Sequence, residues 1–145
     1  MADRDVLIDT SVIIDFLRKR YKDRSLLWTL KANYNCFMSV ITVFELFAGA
    51  VTEQKSQDIR KILKWIETVP LNTGIAELSA HLYQDLKHRN EQIEFRDIFI
   101  GATALFHRYP LATLNRKHFS RLPGILLLSN ETDVLAPSRN HESAE

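Results

Sequence analysis

The sequence predicts an α/β domain built on a mostly parallel sheet with helices on both faces. Three observations carry that expectation. Short apolar runs alternate with stretches of helical period along the chain. The runs are apolar throughout, as in strands buried on both sides. The first, Asp5-Val6-Leu7-Ile8, leads at once into Asp9-Thr10-Ser11. An acid and two hydroxyls thus stand at a strand's carboxyl end, the edge where open α/β sheets hold ligands. Thr10 or Ser11 can cap the helix that comes next. Asp9 can cap it too or hold a ligand, and this stretch alone leaves both roles open.

From Val12 to about Arg20, the apolar residues Val12, Ile13, Phe16 and Leu17 recur at helical spacing, and the basic last turn suits the helix dipole. Asp23 is placed to cap a second helix reaching Asn33, with Leu26, Leu27 and Leu30 as its stripe. Residues 36–40 form a second strand ending at Ser39. The segment 41–50 is apolar almost all round, which predicts a buried helix. From Gln54 to Thr68 the pattern is amphipathic, with Ile59, Ile62, Leu63 and Ile66 inward and Lys55, Arg60, Lys61 and Lys64 outward. Residues 69–71 give a minimal third strand or a connector. Helices are expected over 73–89 and 94–108, the latter with small residues (Gly101, Ala102, Ala104) for close packing and Pro110 as its stop. Residues 111–114 and 125–128 complete a count of five strands.

At 145 residues the chain is long enough for one domain with a substantial core. Hydrophobic and charged fractions of 46% and 26% are those of a soluble globular protein. There is no apolar run of membrane-spanning length and no signal-peptide core, so no membrane partner is expected. A single cysteine, Cys36, forbids an intrachain disulfide and fits a reducing cytoplasm. Its apolar neighbours mark it as a core residue. The net charge of +1 does not decide on nucleic acid, and each basic cluster reads first as a solvated helix end or turn. The domain is expected over residues 1–136, with 137–145 a flexible polar tail.

Two more acids sit where folding alone would not put them. Glu45 has Ile41, Thr42, Ala48 and Gly49 three and four residues away, so its face of the helix is apolar and small. Asp97 has Ile93, Glu94, Ile100 and Gly101 on its face. Burying a lone carboxylate costs several kcal/mol. A salt bridge would excuse Glu45, and a helix N-terminus or a pair with Arg96 would excuse Asp97. A shared hard cation, Mg²⁺ or Mn²⁺, would account for Asp9, Glu45 and Asp97 together. Zinc-ligand spacing, a glycine-rich phosphate loop and a serine-nucleophile elbow are all missing from the sequence.

Four segments in order, 7–11, 42–49, 97–102 and 113–119, resemble the PIN domain, and the spacing is similar to that of VapC-type toxins of prokaryotic toxin–antitoxin pairs. The resemblance implies a PIN-like three-layer α/β/α sandwich, here with a central five-stranded sheet. It implies a Mg²⁺- or Mn²⁺-dependent ribonuclease that cuts tRNA or ribosomal RNA, works as a homodimer and is silenced by a cognate antitoxin. Carried over by position, Asp9, Glu45 and Asp97 would bind metal, with Asn115 a further catalytic residue. Thr10, Ser11 and Thr113 would brace them. Many relatives have a fourth acid where this sequence has Asn115 and His118. Arg116, Lys117, His118 and Arg121 are candidates for holding phosphates. Phe44, Phe47 and Val51, with the helix carrying Trp65, are expected to offer apolar surface to an antitoxin helix. A PIN-like binding module that no longer cleaves, or a DNA nuclease of the same fold, are the competing readings.

Overall fold

A computed structural model describes residues 4–128. The polar tail expected over 137–145 lies outside the described residues.

Four parallel strands form the sheet: β1 (Asp5–Ile8), β2 (Asn35–Ser39), β3 (Glu67–Val69) and β4 (Leu111–Ala112), in the order β3-β2-β1-β4. Between them run α1 (Thr10–Arg18), α2 (Leu26–Asn33), α3 (Val40–Ala48), α4 (Glu53–Trp65), α5 (Thr73–His88) and α6 (Phe95–His107), with the single turn α7 (Arg116–Phe119) after β4. Side chains alternate across β1, and each face feeds its own core. Val6 and Ile8 join Val12, Ile13, Leu27, Leu30, Ile59 and Ile62 on the side of α1, α2 and α4. Leu7 joins Ile75, Leu82, Leu86, Ile98 and Ile100 on the side of α5 and α6. The result is the expected three layers around a parallel sheet.

The sheet has four strands, not five. Residues 125–128 make one isolated parallel bridge, Leu127 to Leu111. β4 is two residues long: beyond it the Leu114 N–H donates to the Ser11 hydroxyl and the Asn115 N–H to the Thr113 hydroxyl, not to a neighbouring strand. That leaves little edge for a fifth strand to pair with.

Local chemistry shifts other expectations. Asp23 falls in a 3₁₀ turn (Lys22–Arg24), and Ser25 is the residue whose hydroxyl caps α2, accepting from the Trp28 N–H. The apolar helix α3 is only partly buried: Thr42 and Leu46 face inward, while Phe44 is 69% exposed. Trp65 is partly buried, packing edge-on to Phe16 (5.4 Å) and Trp28 (6.5 Å) with the Lys31 ammonium over its ring. α6 stops at His107, before Pro110 acts directly, with Arg108 left-handed (φ 59°). Tyr109 must be extended because proline comes after it, so the helix has to end earlier. Gly101 is required by packing: a Cβ there would lie 2.1 Å from Cδ1 of buried Leu122. Burial pushes the Cys36 thiol up to about 12, which leaves it an inert core residue.

Candidate active site

Parallel pairing of β1 with β2 and β4 brings the ends of all three strands to one edge of the sheet. Asp9 stands just past β1 there and is 3% exposed. It sits at the N-cap of α1 but makes no side-chain cap bond. Its partners are hydroxyls instead. Ser11 donates to Oδ2 at 2.6 Å and Thr113, just past β4, donates to the same oxygen at 2.7 Å. No side-chain hydrogen bond reaches Oδ1 among the described residues. Thr10 and Ser11 are therefore not caps: both lie inside the first turn of α1 and turn their hydroxyls to the acids.

Ser39 ends β2 and caps α3 by accepting from the Ile41 N–H at 3.0 Å. This starts α3 at the same edge and carries Glu45 into it. The Thr10 hydroxyl donates to Glu45 Oε1 at 2.9 Å and lies 2.9 Å from the Thr42 hydroxyl, tying α1 to α3. The other carboxylate oxygen, Oε2, is 3.4 Å from Arg96 Nε. Asp97 is in the first turn of α6, which packs on α3. Its side chain has no hydrogen bond or ion pair among the described residues. Its pKa is raised from 3.8 to about 6, first by burial, then by the charges of Asp9, Glu45 and Glu94, with Arg96 opposing. Asp9, Glu45 and Asp97 are thus within electrostatic reach of one another.

As the side chains stand, no three acids, histidines or cysteines among the described residues are close enough to hold an ion. The donor chemistry nevertheless fits a hard cation. All three acids offer oxygen, Asp97 has no counter-ion of its own, and Asp9 keeps one oxygen without a hydrogen-bonded partner.

Asn115 precedes α7, with its backbone N–H donating to Thr113 Oγ1 at 2.9 Å and its side chain exposed. Lys117 and His118 are exposed on α7. Arg116 donates to the Leu128 carbonyl and Arg121 to the Gln92 carbonyl at 3.1 Å, so both of these cations already hold backbone. Sequence reasoning missed Thr42 and the role of Arg96. Thr42 stands three residues before Glu45 on the same helix face, a signal that could have found it. Arg96 reads in sequence as a partner for Asp97, but it pairs with Glu45 and, at 2.6 Å, with Glu94.

The fold and site together define a parallel α/β domain that gathers acids at the carboxyl edge of its sheet, two of them braced by hydroxyls. The PIN domain family matches residues 6–125, and the chain belongs to it. Its relatives include Ribonuclease VapC1 of Methanocaldococcus jannaschii, 35% identical over 118 residues (81% of this chain, 80% of that one). Ribonuclease VapC1 of Rickettsia felis is 32% identical over 131 residues (86% and 95%). Among solved structures, a toxin–antitoxin complex from Klebsiella pneumoniae has a chain that superposes with a TM-score of 0.67 at 31% identity, covering 83% of this chain and 95% of that one. VapBC2 from Rickettsia felis, bound to a promoter DNA fragment, has the same fold at a TM-score of 0.76 and 21% identity, covering 86% and 97%.

Proposed function

We propose that this protein is a divalent-cation-dependent endoribonuclease and the toxin of a VapBC-type toxin–antitoxin pair. One observation carries the chemistry: Asp97 is held half-buried with no counter-ion of its own, facing the charges of Asp9 and Glu45. The names of the relatives, ribonucleases all, supply the substrate class.

Asp9, Glu45 and Asp97 would hold Mg²⁺ or Mn²⁺ through carboxylate oxygens. When bound, such a cation supplies Lewis acidity, generating a hydroxide nucleophile near neutral pH and offsetting the charge that builds on the phosphate. The chain's own residues do the rest. Ser11 and Thr113 fix the Asp9 carboxylate from one side, so that Oδ1 is presented without a search through rotamers. Thr10 does the same for Glu45. Asn115 offers an exposed amide next to Thr113 that can orient substrate or water. Lys117 and His118 on α7 can hold flanking phosphates of tRNA or ribosomal RNA, as can Arg116 and Arg121 if they exchange their carbonyl partners. A cation at Glu45 would compete with Arg96 for its charge.

An antitoxin helix fits the same reading. A groove of about 310 Å³ between α1, α3 and α4 is walled by Ile14, Leu17, Leu46 and Ile59 and opens onto Glu45. Phe44 on α3 and Val51 just after it (80% exposed) add exposed apolar surface. An amphipathic segment laid there would place its end beside the acids. A homodimer belongs to this reading as well, and a dimeric mass by light scattering would support it. No helix among the described residues is long and apolar enough to cross a membrane.

The deciding assay is cleavage of matched RNA and DNA oligonucleotides with Mn²⁺. Cutting of RNA by the wild type, lost in EDTA and in Asp9→Asn, is the expected result. Cutting of DNA alone, or activity that survives EDTA, overturns it.

A further inference from the structure

The acid cluster already contains a cation of its own. The Arg96 guanidinium spans two carboxylates, with Nε 3.4 Å from Glu45 Oε2 and Nη2 2.6 Å from Glu94 Oε2. No other lysine or arginine forms an ion pair with Glu45, Asp9 or Asp97 among the described residues. The side chain is 55% exposed, so it is anchored at its tip and not packed along its stem. A guanidinium has five N–H donors in a planar fork, and these two contacts engage only part of it. The contact to Glu45 is the longer and the first to yield. A divalent cation taking Glu45 Oε2 would weaken that contact, because its charge repels the guanidinium and drains the carboxylate's negative charge.

Glu94 governs where the displaced guanidinium goes. It precedes α6 and lies on the same turn as Arg96, so the guanidinium stays tethered beside the acids when Glu45 lets go. A planar fork held at the mouth of a carboxylate cluster has the geometry for two parallel bonds to a phosphate. The cluster itself repels phosphate, which gives a tethered cation at its rim a reason to be there.

We propose that Arg96 is the resident counter-ion of the acid cluster, holding Glu45 until a divalent cation takes its place and then serving as a phosphate ligand for the RNA. This rests on the cation-dependent ribonuclease reading of the same site. It assigns Arg96 two roles of opposite sign: a competitor of the metal and a helper of the substrate.

The test is calorimetric titration of metal-free protein with Mn²⁺ at pH 8, where Asp97 is ionised in wild type and variant alike. It is paired with steady-state cleavage of a labelled oligoribonucleotide at saturating Mn²⁺. Arg96→Gln is expected to bind Mn²⁺ about three- to tenfold more tightly, yet to show a KM for RNA raised by about tenfold. Arg96→Lys keeps the charge and loses the fork. It is expected to bind Mn²⁺ within about twofold of wild type and still to raise KM, so it carries the substrate arm if Arg96→Gln folds poorly. Unchanged or weaker Mn²⁺ binding by folded Arg96→Gln overturns the competitor role and means that Arg96 merely orients Glu45. An unchanged KM in both variants overturns the substrate role. If the wild type binds no Mn²⁺ and cuts no RNA, the parent reading fails and takes this one with it. If the wild type does both and the variants match it, only this inference fails.

Discussion

Asp9 and Asp97 are both aspartates at helix starts within electrostatic reach of each other, yet the fold treats them in opposite ways. Asp9 is 3% exposed and receives two hydroxyl bonds on a single oxygen. Asp97 is half-buried, receives none, and has its pKa pushed up to about 6 by burial and by neighbouring carboxylates. One acid is settled by the protein itself. The other is kept at an electrostatic cost that Arg96, its neighbour on α6, only partly offsets. On the proposed reading, the first acid is the fixed reference point of the site and the second is the one whose cost a bound cation would relieve.

The most direct way to break this comparison is to remove each charge in turn. If both acids serve one cation, Asp9→Asn and Asp97→Asn should each abolish Mn²⁺-dependent cleavage of RNA. Lewis-acid stabilisation worth several kcal/mol corresponds to about a 10³-fold loss or more. Steady-state assays at saturating Mn²⁺ check this. A variant of either residue that retains most of its activity would separate the two acids functionally and dissolve the shared site.

Next in size is the support beneath Asp9. Thr113→Val keeps the side chain's shape but removes the 2.7 Å bond to Oδ2. Groups that orient a metal-binding carboxylate are worth about 10- to 100-fold in affinity or activity. With Ser11 still in place at 2.6 Å, the lower end is expected, an approximately tenfold weaker Mn²⁺ affinity by calorimetry. Asp97 has no such support, so there is no comparable variant on its side. An unchanged affinity would mean that Asp9 is held by its burial alone.

How much of this was legible in the sequence depends on the range of the interactions involved. The acids stood out because each sits on an apolar helix face or strand end, and that pattern is local. The parallel α/β layering came from the alternation of runs, and all four strands lie within two residues of their expected places. The fifth strand failed because pairing is decided by the partner edge, and β4 is only two residues long. The bond from Thr113 to Asp9 spans 104 residues and cannot be read from spacing; only the family resemblance brought Thr113 to attention. Arg96 misled for a different reason. Adjacent residues on a helix do not face one another, so its neighbour Asp97 was the wrong partner, and Glu45, distant in sequence, was the right one.

The smallest effects sharpen the comparison most, because they have opposite signs. In metal-free protein Asp9→Asn loses charge-assisted bonds from two hydroxyls and should destabilise by about 1–2 kcal/mol. Asp97→Asn removes a charge that the fold penalises and should stabilise. A pKa of about 6 against the ordinary 3.8 amounts to roughly 3 kcal/mol, which solvent screening of a half-exposed group reduces to about 1 kcal/mol. That is a rise in melting temperature of about 2–4 °C for a chain of this size. The sign of the pH dependence is fixed as well. Because the folded-state value lies above the unfolded one, the folded chain binds this proton more tightly, and stability falls as pH rises from 3.8 through about 6. The advantage of Asp97→Asn in EDTA should therefore be absent below that window and fully developed above it. Mn²⁺ should reverse it at pH 7 and above, stabilising the wild type and not the variant, while its affinity for the wild type falls as Asp97 protonates below about pH 6. Thermal melts of wild type and variant across pH, with and without Mn²⁺, check all of this. A melting difference independent of pH would mean that Asp97 is stabilised in some other way, and that the contrast with Asp9 is one of hydrogen bonding alone.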